Sequence, residues 1–159
     1  LAPMIEEVLT DLAPLAEQKG IALASEGDAQ TTGSDTLIYR LLFNLAENAI
    51  RYSTPNSTVR ISARVEGDRV LLRVHDQGQG IPEQYQTSIF QPFFRVDKSR
   101  SRAYGGVGLG LALVWEIAAL HGGSIEVEES SERGTTMLVT LPAHNIEDAT
   151  KELPLCHIC

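Results

Sequence analysis

Three groups of residues have types and spacings that can do chemistry. The first is Gly105–Val114, GGVGLGLALV, where Gly105, Gly106, Gly108 and Gly110 run straight into an apolar stretch of helical spacing. Glycine lets backbone N–H groups come close to a ligand. A helix starting there adds further donors and the positive end of its dipole. That is a place for an anion such as phosphate, with a flexible loop leading into a core helix as the alternative. A P-loop is excluded because no lysine follows the glycines. A dinucleotide fingerprint is excluded because Leu113 stands where its third glycine belongs.

The second group is Asn44, Asn48 and Arg51, at i, i+4 and i+7, which makes one stripe along a helix. Asparagine is a mediocre helix former, so two on a stripe beside apolar residues want an explanation. One reading is a carbonyl ligand for a magnesium–phosphate complex with Arg51 meeting negative charge. The other is a pair of half-exposed or structural amides. The third group is Asp76, which keeps the alternation of Val70, Leu72 and Val74 and so points to the apolar face. A carboxylate there needs a partner. It suits an exocyclic amine such as that of adenine, unless it only caps its own turn.

These groups must be held by a particular set of elements. Ile5, Val8, Leu9, Leu12, Leu15 and Ala16 predict a first helix closed by Gly20, kinked or divided at Pro14. Ile21–Ala24 reads as an edge strand and Ser25–Gly33 as a loop. Ser34 is the expected N-cap of a helix to about Tyr52, built on Leu37, Ile38, Leu41, Leu42, Leu45, Ala46 and Ala49. Val59–Val65 and Val70–Val74 alternate around Glu66–Arg69 as a hairpin. A short helical piece follows Pro82. Arg95, Lys98, Arg100 and Arg102 then crowd an aperiodic stretch that reads either as a cationic lid or as solvated charge. The helix after the glycines is expected to bury Leu111, Val114, Trp115 and Ala118 and to end near His121. Two more strands follow, Ser124–Glu129 and Thr135–Leu141. Consecutive strands pairing as hairpins exclude a doubly wound fold, and the order predicts an α+β, two-layer α/β sandwich: a mixed sheet covered on one face by helices.

Composition bounds the partners. The chain has 159 residues and a net charge of -8, which fits one domain and argues against a nucleic-acid surface. No apolar run is long enough to enter a bilayer directly. Leu1 in place of a starting methionine suggests a segment of a longer protein, whose membrane anchor would lie upstream. Residues 1–142 form the expected domain, and 143–159 a weakly ordered tail. Cys156 and Cys159 lack the second pair that a zinc site needs, so reduced thiols are expected.

Taken together, five segments resemble one family, the sensor histidine kinases. Asn44–Ser53 looks like their asparagine box, Asp76–Ile81 like the first glycine box and Ile89–Asp97 like the phenylalanine box. Gly105–Val114 is similar to the second glycine box, and Arg133–Pro142 to the glycine–threonine segment that closes the domain. The resemblance covers Leu1 to Pro142 and implies a Bergerat-type fold with ATP and Mg2+ as ligands. It implies that Asn48 ligates magnesium, that Asn44 and Arg51 support the phosphates, and that Tyr52 lines the pocket. Asp76 would accept from the adenine amine, with Gly78 and Gly80 shaping the base pocket. Arg95, Lys98, Arg100 and Arg102 would belong to a lid, its end shaped by Gly106, Gly108 and Gly110, with N–H groups of Leu109, Gly110 and Leu111 facing phosphate. Ile81, Val107 and Thr135 count among the nucleotide-binding positions of the matched boxes.

Val107 departs from the Thr or Ser common in the family, which leaves the contacts there to the backbone. Asparagine at 44 also replaces the glutamate of related ATPases and cannot activate water. The resemblance therefore implies transfer of the γ-phosphoryl to a histidine on the chain's own dimerisation domain, then to a response-regulator aspartate. None of His75, His121, His144 and His157 has the acceptor motif around it, so that domain is expected outside these residues. The implied location is cytoplasmic. An anti-sigma-type serine kinase and a non-catalytic docking scaffold are the alternatives.

Overall fold

The protein is described from a computed structural model that covers residues 1–92, 94 and 110–143. Helix α1 (Ala2–Lys19) buries Ile5, Val8, Leu9, Leu12 and Ala16, and Gly20 closes it by donating to Ala16 and Glu17. Pro14 neither ends nor divides it. Pro14 is exposed, and so is Thr10, whose carbonyl it deprives of a donor, so water can replace the missing bond.

Strand β1 (Ala22–Gly27) runs parallel to β2 (Thr58–Glu66). A parallel neighbour demands a crossover, which α2 (Asp35–Tyr52) provides. Ser34 caps α2 by accepting from the N–H of Leu37. The strand takes in Ser25, Glu26 and Gly27, which the sequence assigns to a loop, because backbone pairing with β2 needs no apolar side chain.

Strand β3 (Arg69–Asp76) pairs antiparallel with β2, and the turn between them falls at Gly67. Two single 3-10 turns, Glu83–Tyr85 and Ser88–Phe90, replace the expected helical piece. Helix α3 (Gly110–Leu120) leads into the hairpin of β4 (Ser124–Ser131) and β5 (Gly134–Pro142). The sheet order is β1-β2-β3-β5-β4.

The three described α-helices pack on one face of this mixed sheet. There Val59, Ile61, Val70, Leu72, Val74, Val139 and Leu141 meet Leu41, Leu42, Leu45, Val114 and Ile117 as one core. The opposite face carries Arg73 and Glu128 in a two-pronged ion pair, 2.7 and 2.9 Å, and His75 bonded to Thr136 at 2.8 Å. A two-layer α/β sandwich is therefore the observed fold.

Within α3 the buried residues are Ala112, Val114, Ile117 and Ala118. Leu111 is half-buried and Trp115 is 46% exposed, which corrects the expected core stripe. An almost wholly apolar helix gives no polar face to orient it. Trp115 stacks instead on Phe90, ring centroids 5.4 Å apart, tying the second 3-10 turn to α3.

Candidate functional site

The core packing sets α2 beside β3 and the start of α3, and the end of β3 pairs with the start of β5. Seven residues on one side of α2 are buried, from Ile38 to Ile50, which fixes the helix's rotation. The stripe of Asn44, Asn48 and Arg51 consequently lies half-buried along its flank.

Asn44 donates from Nδ2 to the carbonyl of Arg40 at 2.8 Å, one turn back. That bond fixes the amide and points Oδ1 at α3, where a Cβ placed on Gly110 would stand 3.3 Å from it. The glycine that opens α3 thus comes against the asparagine stripe. Among the described residues no group hydrogen-bonds the Asn48 amide. Arg51 reaches back to Glu47 at 2.7 Å instead of standing alone. Lys19, from the end of α1, donates to the carbonyls of Ile50 and Arg51 and so covers the C-terminus of α2.

Asp76 has the most constrained position. It is 7% exposed, and its Oδ1 accepts from the N–H of Gly78 at 2.9 Å and of Thr135 at 3.3 Å. Burial pushes this carboxyl above the usual carboxylate range, and the two N–H bonds pull it partly back. Both readings of Asp76 meet here: one oxygen caps the turn, and among the described residues Oδ2 has no protein donor. A second acceptor is left for a ligand.

The turn after Asp76 is pinned on both sides. Ser53 and Gly78 form a β-bridge, and Gln77 holds Thr54 and Thr58, the latter through Oε1 at 2.7 Å. Tyr52, at the end of α2, is half exposed above this seam. Gly80 has φ 83°, and a Cβ there would meet the carbonyl oxygen of Ser131 at 2.2 Å, so only glycine fits. Ile81 then donates its N–H to Ser130 Oγ at 2.7 Å, and Ser130 Oγ lies 2.8 Å from Thr135 Oγ1.

The structure thus gathers Asn44, Asn48, Arg51, Tyr52, Asp76, Gly78, Gly80, Ile81, Gly110, Leu111 and Thr135 on α2, β3, α3 and β5 and the turn after β3. Arg95, Lys98, Gly106, Val107, Gly108 and Leu109 lie outside the described residues, as do Arg100 and Arg102. Ser53, Gln77 and Ser130 hold the turn after Asp76 in place, and the sequence alone does not single them out.

Residues 33–145 match the family described as histidine kinase-, DNA gyrase B- and HSP90-like ATPase. The chain belongs to that family. Its curated relatives include the sensor-like histidine kinase SenX3 of Mycobacterium bovis, 47% identical over 111 residues, 70% of this chain and 27% of that protein. Another is the sensor histidine kinase RppB of Synechocystis sp., 34% identical over 149 residues, 92% of this chain and 33% of that protein. Among solved structures, the mycobacterial sensor histidine kinase MprB superposes with a TM-score of 0.78 at 26% identity, covering 91% of this chain and 95% of that one. The catalytic domain of histidine kinase ThkA gives a TM-score of 0.78 at 28% identity, covering 90% and 92%. The chain therefore corresponds to the catalytic, ATP-binding domain of a sensor histidine kinase. It spans about a third or less of the length of these two curated relatives. No described helix is long and apolar enough to cross a membrane.

Proposed function

We propose that this domain binds Mg-ATP between α2, α3 and the end of β3, and passes the γ-phosphoryl to a histidine on a dimerisation domain of the same protein. A response-regulator aspartate then receives it. The base lies over Gly78 and Gly80 with its amine on Asp76 Oδ2, and the phosphates run toward the start of α3. There the first-turn N–H groups have no helical partners and face the anion.

One observation carries the choice of phosphoryl transfer over hydrolysis. The side chain that α2 presents to Gly110 is an amide, held by its own Nδ2 bond to Arg40, and an amide takes no proton from water. Alignment and neutralisation of charge remain as the means of catalysis.

Magnesium suits the donors present. The Asn48 oxygen is hard, uncharged and without a partner among the described residues. No described cluster of three acidic, histidine or cysteine side chains forms a metal cage. An ion held chiefly by phosphate oxygens and water, with one amide oxygen from the protein, fits that pattern. Such an ion would neutralise charge on the phosphates, while Asn48 and Asn44 orient them. In the whole protein this segment works on the cytoplasmic side of a membrane anchored elsewhere in the chain.

The test is phosphotransfer. The domain, mixed with Mg-ATP and the dimerisation domain from its own full-length protein, should yield acid-labile, base-stable phosphate on that domain. Release of free phosphate without a phosphohistidine would contradict the reading.

A further inference from the structure

The hydroxyls of Ser130 and Thr135 lie behind the turn that carries Gly80 and Ile81. Either hydroxyl can donate across the Ser130–Thr135 contact, and polarisation decides between them. Ile81 N–H can only donate, so Ser130 Oγ is an acceptor at 2.7 Å. A hydroxyl that accepts one hydrogen bond is polarised into a better donor, so the favoured chain runs onward from Ser130 O–H to Thr135 Oγ1 at 2.8 Å. Thr135 Oγ1 is then occupied as an acceptor, and its own proton is left to point elsewhere. Thr135 is 3% exposed and its N–H is already spent on Asp76 Oδ1. Thr135 is also the strand partner of Asp76, so its hydroxyl lies beside that carboxylate's residue in the sheet.

We infer that Ser130 is a positioning residue for base selection: by donating to Thr135, it makes that hydroxyl a donor beside the Asp76 acceptor. Acceptor and donor side by side match adenine, which offers an amine and next to it a ring nitrogen with a lone pair. Guanine offers a carbonyl and an N–H at those places and meets the reverse pattern on both. The inference rests on the adenine-nucleotide reading above and adds a residue outside the pocket wall that fixes its polarity. The bulge in β4 between Val127 and Glu129 is what makes this possible, because it brings Ser130 opposite Thr135 on the helix-facing side.

The test is a binding cycle on the protein with ADP, 1-deaza-ADP, which lacks the ring acceptor, and GDP. Ser130→Ala should weaken ADP about five- to tenfold, the scale of one misdirected hydrogen bond. It should leave 1-deaza-ADP within about twofold and narrow the preference for ADP over GDP. Ser130→Thr should restore the wild-type pattern, and Ser130→Ala added to Thr135→Val should cost nothing more. Equal losses for ADP and 1-deaza-ADP would make Ser130 merely structural and overturn the inference, as would no loss at all. Wild-type protein that binds none of the three would instead overturn the adenine-nucleotide reading itself.

Discussion

Asp76 Oδ1 accepts the backbone N–H of Thr135, 59 residues away in sequence, at 3.3 Å. With the Gly78 bond to the same atom, this leaves Oδ2 as the carboxylate oxygen without a donor among the described residues. Oδ1 holds the turn and, in the proposed function, Oδ2 meets the ligand, so the two roles can be separated.

Asp76→Asn separates them. The two backbone donors require an oxygen at the Oδ1 place, so the amide nitrogen must stand where Oδ2 was. It then opposes an amine with an amine. ADP affinity should fall about 100-fold or more, while the fold is kept or gains stability from losing a buried charge. Calorimetric titration beside thermal melting checks both halves. A loss of folding with intact affinity would contradict the assignment.

The same carboxyl makes binding depend on pH. Its folded pKa is raised by burial, so ionisation costs stability above that value, and protonation relieves the cost as pH falls through it. Nucleotide binding has the opposite dependence, because the ligand needs the ionised acceptor. ADP affinity should therefore begin to drop at a higher pH than an ordinary carboxylate would give, while denaturant stability rises relative to Asp76→Asn over the same interval. Affinity and denaturation profiles of the two proteins, measured together, test the sign.

Gly80 and Gly67 make a matched pair, both at positive φ, 83° and 62°. A Cβ at Gly67 meets nothing within 4 Å, whereas at Gly80 it meets the Ser131 carbonyl at 2.2 Å. Gly67→Ala should cost about 1 kcal/mol from backbone strain alone. Gly80→Ala should cost about 2–3 kcal/mol and weaken nucleotide, since the base turn must move. Chemical denaturation gives both numbers, and equal costs would show that the turn yields freely.

Much of this arrangement was legible in the sequence because it rests on periodicity. The α2 stripe and the Asp76 parity each follow from spacing, and the structure keeps both. The parity of β4 fails for an identifiable reason. Ile125 and Val127 face the helices, and simple alternation would send Glu129 after them, but the bulge puts Ser130 there instead. A bulge of charged and hydroxyl residues carries no sequence signal. Pro14 leaves α1 undivided because it sits on the side that faces water, which the proline alone does not reveal. In α3 the nearly uniform apolar composition hides the rotation that leaves Trp115 at the surface beside Phe90.

Asn48→Ala isolates the metal side of the site. The side chain has no described partner, so thermal stability should change by less than about 0.5 kcal/mol. ATP affinity measured with magnesium should fall about tenfold, and affinity measured in chelator should hardly change. Equal losses in both conditions would move Asn48 from the metal to the nucleotide.

The proposed adenine-nucleotide site is shared by Asp76, the α2 asparagines and the start of α3. Calorimetric titration of the chain with a non-hydrolysable ATP analogue tests it most directly, run with magnesium, with chelator and with the guanine counterpart. Saturable one-to-one binding is predicted, weaker in chelator and weaker still for guanine. Absence of saturable binding at millimolar nucleotide, or equal binding of both bases, would contradict the account.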